Sequence, residues 1–468
     1  MKTPKLDSMG NERLPFLTTF LLGSSGFMWT INFMMIQTYL LFVYTDVFKI
    51  SAGYVAVLFL ATRIVDAILA PAFGIFVDGS KTRWGKYKPY FIILGVPLAI
   101  SGFFTFTDPS LLFGEISGNG KLIYATITYV IFSTLYSISG AATGGVQPLM
   151  TKSLDDRINI GQVNAIASMV GGILIASGVT PFIIVVAGGT SSPKGWMTVM
   201  AIISVITIVY NILAVTFFKE KYLIEGEKPA KLTANQMVKV IFKNRTALIA
   251  LALVFGINLG GGMRSGAMLY YFQYYFHKPE LMAIAGLFSL VATVVGAVLC
   301  GKFTKKFGMK KTLAFSSVLA IVSCGLVFFA PQNLAGIIIF MGLTLVGQFA
   351  NGLIMPVQGT MLPLAMDFAE WKYNISANGF IGSFVGFIQT FATAVSGALV
   401  AAALAYFGYK AGPVQNESTI LGLRLLLSIV PAILQIFMMA VLWFDLTEDK
   451  QKSISTELKE RRDKVALS

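Results

Sequence analysis

Charge is scarce in this sequence. Only 12% of its 468 residues are Asp, Glu, Lys or Arg, about half the share a soluble domain carries. Hydrophobic residues make up 56%, and the mean hydropathy is +0.74. A water-facing surface cannot be clothed on that balance, so a soluble fold does not fit. Cysteine is nearly absent. Cys300 and Cys324 stand in separate apolar blocks, which leaves no disulfide framework and no cysteine metal site. Each reads as a small buried hydrophobe. Histidine occurs once, as His277 in YYFQYYFHKPE, at the end of an apolar run. It is a poor core proton relay. A P-loop signature, a metal-ligand pattern and a catalytic cluster are all missing, so no enzyme, cofactor or metal is expected. The first residues, MKTPKLDSMGNERLP, are polar, and no removable signal peptide is expected.

What is present is a series of long apolar runs. They fall at roughly 16–44, 52–77, 89–106, 122–147, 162–187, 196–218, 246–276, 282–300, 312–330, 335–364, 375–407 and 420–444. Each is near or above the roughly 20 residues needed to span a bilayer. Lipid offers no partner to open backbone groups, so all twelve are expected to be helices. Lysine and arginine gather in one set of loops: DGSKTRWGKYKP (78–89), the stretch 219–245, GKFTKKFGMKK (301–311) and the tail EDKQKSISTELKERRDK. The opposite loops hold TDVFKIS, TDPSLLFGEISGNGK, GGTSSPKG and HKPE. This asymmetry predicts that both termini are cytoplasmic. It also accounts for the net charge of +14 without nucleic acid. The expected organisation is a six-helix bundle over 1–218, a cytoplasmic loop over 219–245, a second six-helix bundle over 246–446 and a cytoplasmic tail over 447–468. GIFVDGSKTRWGKYK after the second run and GKFTKKFGMKK after the eighth form an internal echo. Repeated halves of this kind point to an all-α, two-bundle transporter with the major facilitator fold.

LATRIVDAILAP (60–71) sets Arg63 and Asp66 inside an apolar run. Each charge costs about 2.5–3.5 kcal/mol at a bilayer centre. Three residues apart, they share a helix face, which must look into the bundle or a wet cavity. Two readings stay open: a titratable coupling site at Asp66 balanced by Arg63, or a static ion pair that fixes packing. Arg264, in NLGGGMRSGAMLYYF, is the third mid-span charge. It could clamp an anionic group on a substrate or lock a gate. Trp29, Asn32, Gln37, Tyr136, Gln147, Asn164, Asn258, Tyr271, Gln348, Asn351, Gln358 and Gln389 are candidate ligand contacts near run centres. Any of them can equally be an interhelical hydrogen bond. Asp78 and Arg83, and Asp367, Glu370 and Lys372 in PLAMDFAEWKYN, read as gate pairs or as solvated turns.

Four stretches together carry a family likeness. YTDVFKIS, RIVDAILAPAFGIFVDGSKTRWGKYKPY, LYYFQYYF and MDFAEWKYNISANG closely resemble the glycoside–pentoside–hexuronide:cation symporters, whose best-known members are melibiose permeases. The resemblance covers most of the chain. Arg63, Asp66, Pro71, Gly74, Asp78, Arg83, Trp84, Gly85, Lys86 and Pro89 sit at the family's spacing. It implies a sugar or glycoside entering with H⁺, Na⁺ or Li⁺ across a bacterial cytoplasmic membrane, with no obligatory protein partner. There are departures. The first-helix aspartate that binds galactosides falls on Thr30, and the fourth-helix sugar aspartate on Gly140. A fifth-helix arginine falls near Ala167, and an eleventh-helix lysine on or beside Ala394. The second carboxylate of the cation site falls on Ala70. Galactoside specificity therefore does not carry over. Asp66, Arg63 and Thr30 are the candidate coupling group. The alanine favours H⁺ over Na⁺, although backbone carbonyls and hydroxyls remain able to complete a Na⁺ site. Trp29 and Gln37 are the favoured sugar contacts, because the first helix lines the cavity in this fold. The lost carboxylates and Arg264 keep a rival substrate class open, an organic anion or lipid-like solute.

Overall fold

The computed structural model describes residues 13–79, 88–144, 150–151, 154–218, 241–373, 378–412, 414–443, 454 and 456–458. Every regular element among them is helical. In chain order the long helices are α1 (Phe16–Leu40), α2 (Ala52–Gly79), α3 (Lys88–Thr105), α4 (Gly118–Gly144), α5 (Asn159–Ala187) and α6 (Pro193–Phe217). They continue as α7 (Arg245–Tyr275), α8 (Leu281–Phe307), α9 (Met309–Phe329), α10 (Leu334–Tyr373), α11 (Asn378–Tyr406) and α12 (Glu417–Trp443). Among the described residues, 11 runs are long and apolar enough to cross a membrane. The 28-residue α2, whose described apolar part is Ala52–Thr62, fills the remaining place in the expected twelve. The side chains of Arg63, Ala70 and Asp78, and residues Arg83 and Gln147 altogether, lie outside the described residues.

Helix ends depart from the apolar runs for a physical reason. Hydropathy marks the part of a helix that faces lipid, whereas backbone pairing continues into the polar layer. Thus α10 runs for 40 residues, past the apolar stretch 335–364. The helix that leads into α5 already begins at Leu154. Serines interrupt two spans. In α1 the hydroxyls of Ser24 and Ser25 donate back to the carbonyls of Phe20 and Leu22, both at 2.7 Å. In α12 Ser428 donates to Arg424 at 2.5 Å. Such back-bonding competes with the helix ladder and bends it.

The chain forms two compact units. The first comprises 1–225 with 272–286 and 401–416; the second comprises 226–271, 287–400 and 417–468. Within the first, α1 packs on α5, α2 on α4, and α3 on α4 and α6. Within the second, α9 packs on α10, and α7 on α10 and α12. The core of the second unit gathers Leu253, Leu353, Ile354, Met361 and Met438, and tail residues Ile454 and Leu458 are buried in it. Trp371 Nε1 fastens the same tail by donating to Glu457 Oε2 at 2.7 Å.

Lipid gives two helices no hydrophobic reason to pair, so close contact must come from small residues. The α8–α10 crossing is built that way. A Cβ placed on Gly352 would lie 2.1 Å from the Thr293 carbonyl oxygen, and one on Gly296 would lie 2.3 Å from that of Phe349. Backbone cannot give way as a side-chain tip can. Gly352→Val is therefore expected to destabilise by at least about 1–3 kcal/mol. A lowered unfolding temperature and lower yield of monodisperse protein in detergent check this; an unchanged unfolding temperature contradicts it.

Candidate functional site

Asp66 sits on α2 with 3% of its surface exposed. One turn earlier, Thr62 is buried too and donates back to the Leu58 carbonyl at 2.7 Å. Positions i and i+4 share a face, so this side of α2 is polar and turned away from lipid. α4 meets it with two hydroxyls. Ser133 Oγ donates to Asp66 Oδ2 at 2.5 Å, and Thr134 Oγ1 donates to Oδ1 at 3.2 Å. A buried carboxyl with hydroxyl neighbours can hold a proton. With those hydroxyl oxygens it can also offer several oxygen ligands to a small hard cation. Thr30 is half-buried and its methyl faces Gly172 of α5. No hydrogen bond joins it to Asp66 among the described residues.

Three of the sequence-predicted contacts come together between α1, α3, α4 and α6. The rings of Trp29 and Tyr136 meet edge to face, with centroids 4.7 Å apart and planes at 71°. The Tyr136 hydroxyl lies 3.4 Å from the Trp29 carbonyl. Asn32 Nδ2 donates to Met28 O at 2.9 Å and to Thr207 Oγ1 at 3.2 Å. Its Oδ1 is buried and has no hydrogen-bond donor among the described residues. Trp29, Asn32 and Tyr136 line a cavity of about 30 Å³, together with residues such as Tyr90, Gly95 and Asn211. That is room for water and not for a sugar ring. Asn164 bonds Ser25 Oγ at 3.3 Å, an interhelical tie between α5 and α1. Gln37 is half-buried.

The remaining candidates lie in the second unit. Arg264 is half-buried on α7, and its Nη2 donates to Thr344 Oγ1 of α10 at 3.3 Å. Thr344, Gln348 and Asn351 follow at helical spacing on one face of α10, and Asn351 donates to Gln348 at 3.4 Å. Tyr271 stacks on Phe340 at 5.6 Å. Gln358 is half-buried and Gln389 is exposed, and among the described residues no hydrogen bond joins either to Arg264. Asp367 and Glu370 are half-buried near the end of α10. Beside them Asn244 donates to the Ala365 carbonyl at 2.8 Å, and Tyr373 to that of Lys243 at 2.9 Å.

One acidic site lay outside the sequence reading. TDVFKIS reads as a loop, yet the helical run continues as a wider π-turn over Val43–Val47, and Asp46 is 2% exposed. Its carboxylate accepts from Tyr274, from Thr45 Oγ1 at 2.7 Å, and from Tyr409, whose hydroxyl is 2.6 Å from both oxygens. The available signal was a single acid between Val, Tyr and Phe, in a stretch too apolar for an ordinary loop. Among the described residues, no group of three or more His, Cys, Asp or Glu could hold a metal ion.

Comparison with known proteins adds a second line of observation. Residues 19–447 match the model of a family described as MFS/sugar transport protein. The chain is 30% identical over 409 residues to the isoprimeverose transporter of Lactiplantibacillus pentosus, covering 87% of this chain and 84% of that one. It is 30% identical over 434 residues to the inner membrane symporter YicJ of Escherichia coli, covering 90% of each. In fold it is similar to the inward open structure of the xylose transporter XylE from E. coli, with a TM-score of 0.62, 16% identity, and 90% and 95% of the two chains covered.

The hydroxyls of α4 bond a buried carboxyl. Ser133→Ala is expected to cost about 1.5–3 kcal/mol, the range for a hydrogen bond to a charged group. The loss is expected to shrink when Asp66→Asn is already present, because the two positions share one interaction. Thermal unfolding of the four proteins of that cycle checks it; additive losses contradict it.

Proposed function

The chain belongs to the MFS/sugar transport protein family, and from that premise we propose that it imports a glycoside, oligosaccharide or hexuronide together with H⁺, by alternating access. It is a multi-span membrane transporter and not an enzyme. The proposed setting is a bacterial cytoplasmic membrane with both termini inside, as the basic loops predict. The observation that carries the coupling reading is the buried carboxyl of Asp66 with donors on both oxygens. A protein that only needed to pack α2 on α4 would do so more cheaply with apolar side chains. A titratable group earns its place by changing charge. Proton loading makes Asp66 neutral and lowers the cost of enclosing it as the transporter closes. Release on the other side restores the charge.

Sodium is the second reading, and the hydroxyl oxygens of Ser133 and Thr134 support it, since a hard cation takes oxygen ligands. For the substrate, the isoprimeverose transporter favours a glycoside. Trp29 and Tyr136 supply an aromatic pair in the same unit as Asp66, and Arg264 supplies a donor suited to an anionic group.

Asp66→Asn is expected to abolish uptake against a gradient while sugar exchange at equal concentrations persists. Accumulation assays with a radiolabelled glycoside in energised vesicles, with and without Na⁺, read both. Undiminished accumulation by Asp66→Asn would remove the coupling role. Accumulation that requires Na⁺ would replace H⁺ with the second reading.

A further inference from the structure

We propose that Asp46 is a second protonation site, which latches the end of the transporter opposite the basic loops and gates it without carrying charge across. The geometry comes first. Three separate segments meet at this carboxylate within the first unit: the end of the α1 run, 272–286 and 401–416. Tyr274 supplies one hydroxyl and Tyr409 the other, and these two hydroxyls lie 3.2 Å apart. Their partner Asp46 is 228 and 363 residues away in sequence. Opening this end must pull the segments apart and return the carboxylate to water.

The site is also a matched pair of ends, which argues against an accidental contact. Each half of the chain closes its first helix in the same way. Ile50 N donates to Tyr44 O at 2.9 Å, and Lys278 N donates to Phe272 O at 2.9 Å. The turn residues Lys49 and His277 both take left-handed backbone, at φ 62° and 54°, a conformation costing a side-chain-bearing residue about 1–2 kcal/mol. Counting back three from each reaches Asp46 and Tyr274. Each half also ends its fifth helix on a left-handed glycine, Gly188 and Gly408. Just beyond each glycine a residue reaches the first-helix end of the other half: Thr190 donates to Gln273 at 2.9 Å, and Tyr409 donates to Asp46. One arm of this repeated clasp is neutral. The other holds an ionisable group.

The groups that face Asp46 are the hydroxyls of Tyr274, Tyr409 and Thr45, with Lys49 as the charged neighbour. Burial pushes the carboxyl up from its ordinary 3.8, and those hydroxyls and Lys49 only partly offset it. The sign follows. The closed form holds the proton more tightly than an open form with Asp46 in water. Closure is therefore fully favoured below the ordinary carboxylate range, and that contribution is lost as pH rises through the raised closed-state value. The proton enters and leaves from the same side, so it does not enter the coupling ratio. This rests on the transport reading, but it is tested without any sugar.

Val47 is 5% exposed and next to the latch, and the native Cys300 and Cys324 are buried. The test is the labelling rate of Val47→Cys in membrane vesicles by an impermeant maleimide between about pH 5 and 8. Dividing by the rate of Lys410→Cys, an exposed neighbour, removes the pH dependence of the thiol itself. Normalised labelling is expected to slow as pH falls, by up to about tenfold per pH unit for one linked proton. With Asp46→Asn added it is expected to be slow at every pH, because the amide imitates the neutral acid. With Tyr409→Phe instead, labelling rises more at neutral than at acid pH, because an ionised carboxylate loses more with its donor than a neutral carboxyl does. A flat parent profile, an Asp46→Asn profile like the parent's, or a Tyr409→Phe effect equal at all pH would overturn the proposal.

Discussion

A carboxylate enclosed by helices has no water to turn to, so its partners must come from protein. That constraint organises the chain at two levels of the first unit. At Asp66 the donors include the hydroxyls of Ser133 and Thr134, so α2 and α4 face each other there with polar residues in register. At Asp46 the donors are Tyr274, Tyr409 and Thr45, so three distant segments must converge. Most other contacts are permissive by comparison. Gly296 and Gly352 let helices approach, and serines bend them, but neither decides which helix meets which carboxylate.

The ends of the chain's helices are fastened by different chemistry. At the end with the basic loops, Asn244 and Tyr373 bond backbone carbonyls, and the tail docks through Ile454, Leu458 and Glu457. The Asn244 and Tyr373 ties end on carbonyl acceptors, which do not titrate. At the opposite end the clasp includes an acid. Under the proposed import with H⁺ and cytoplasmic termini, that acid would face the outer solution.

Much of this was legible in the sequence. Apolar runs located the helices, and the basic loops predict which end is cytoplasmic. Asp66 declared itself by its cost, since an acid mid-span needs a reason to be there. Trp29 and Tyr136 were named separately and prove to be in contact. Helix extents were less legible, because hydropathy reports lipid contact and α10 outruns it. Asp46 was not legible as a site. Its position just past an apolar run matches an ordinary loop acid, and its partners lie in other segments that no local pattern connects. The shared turn geometry at Lys49 and His277 relates two of those segments.

The central claim is that a proton bound at Asp66 moves with the sugar. It is tested most directly by the pH of a weakly buffered, Na⁺-free suspension of de-energised right-side-out vesicles when a transported glycoside is added. The account predicts a transient alkalinisation of the medium that disappears with Asp66→Asn and persists, at a slower rate, in Asp46→Asn. Sugar entry with no pH change, or an alkalinisation that persists in Asp66→Asn, would contradict it.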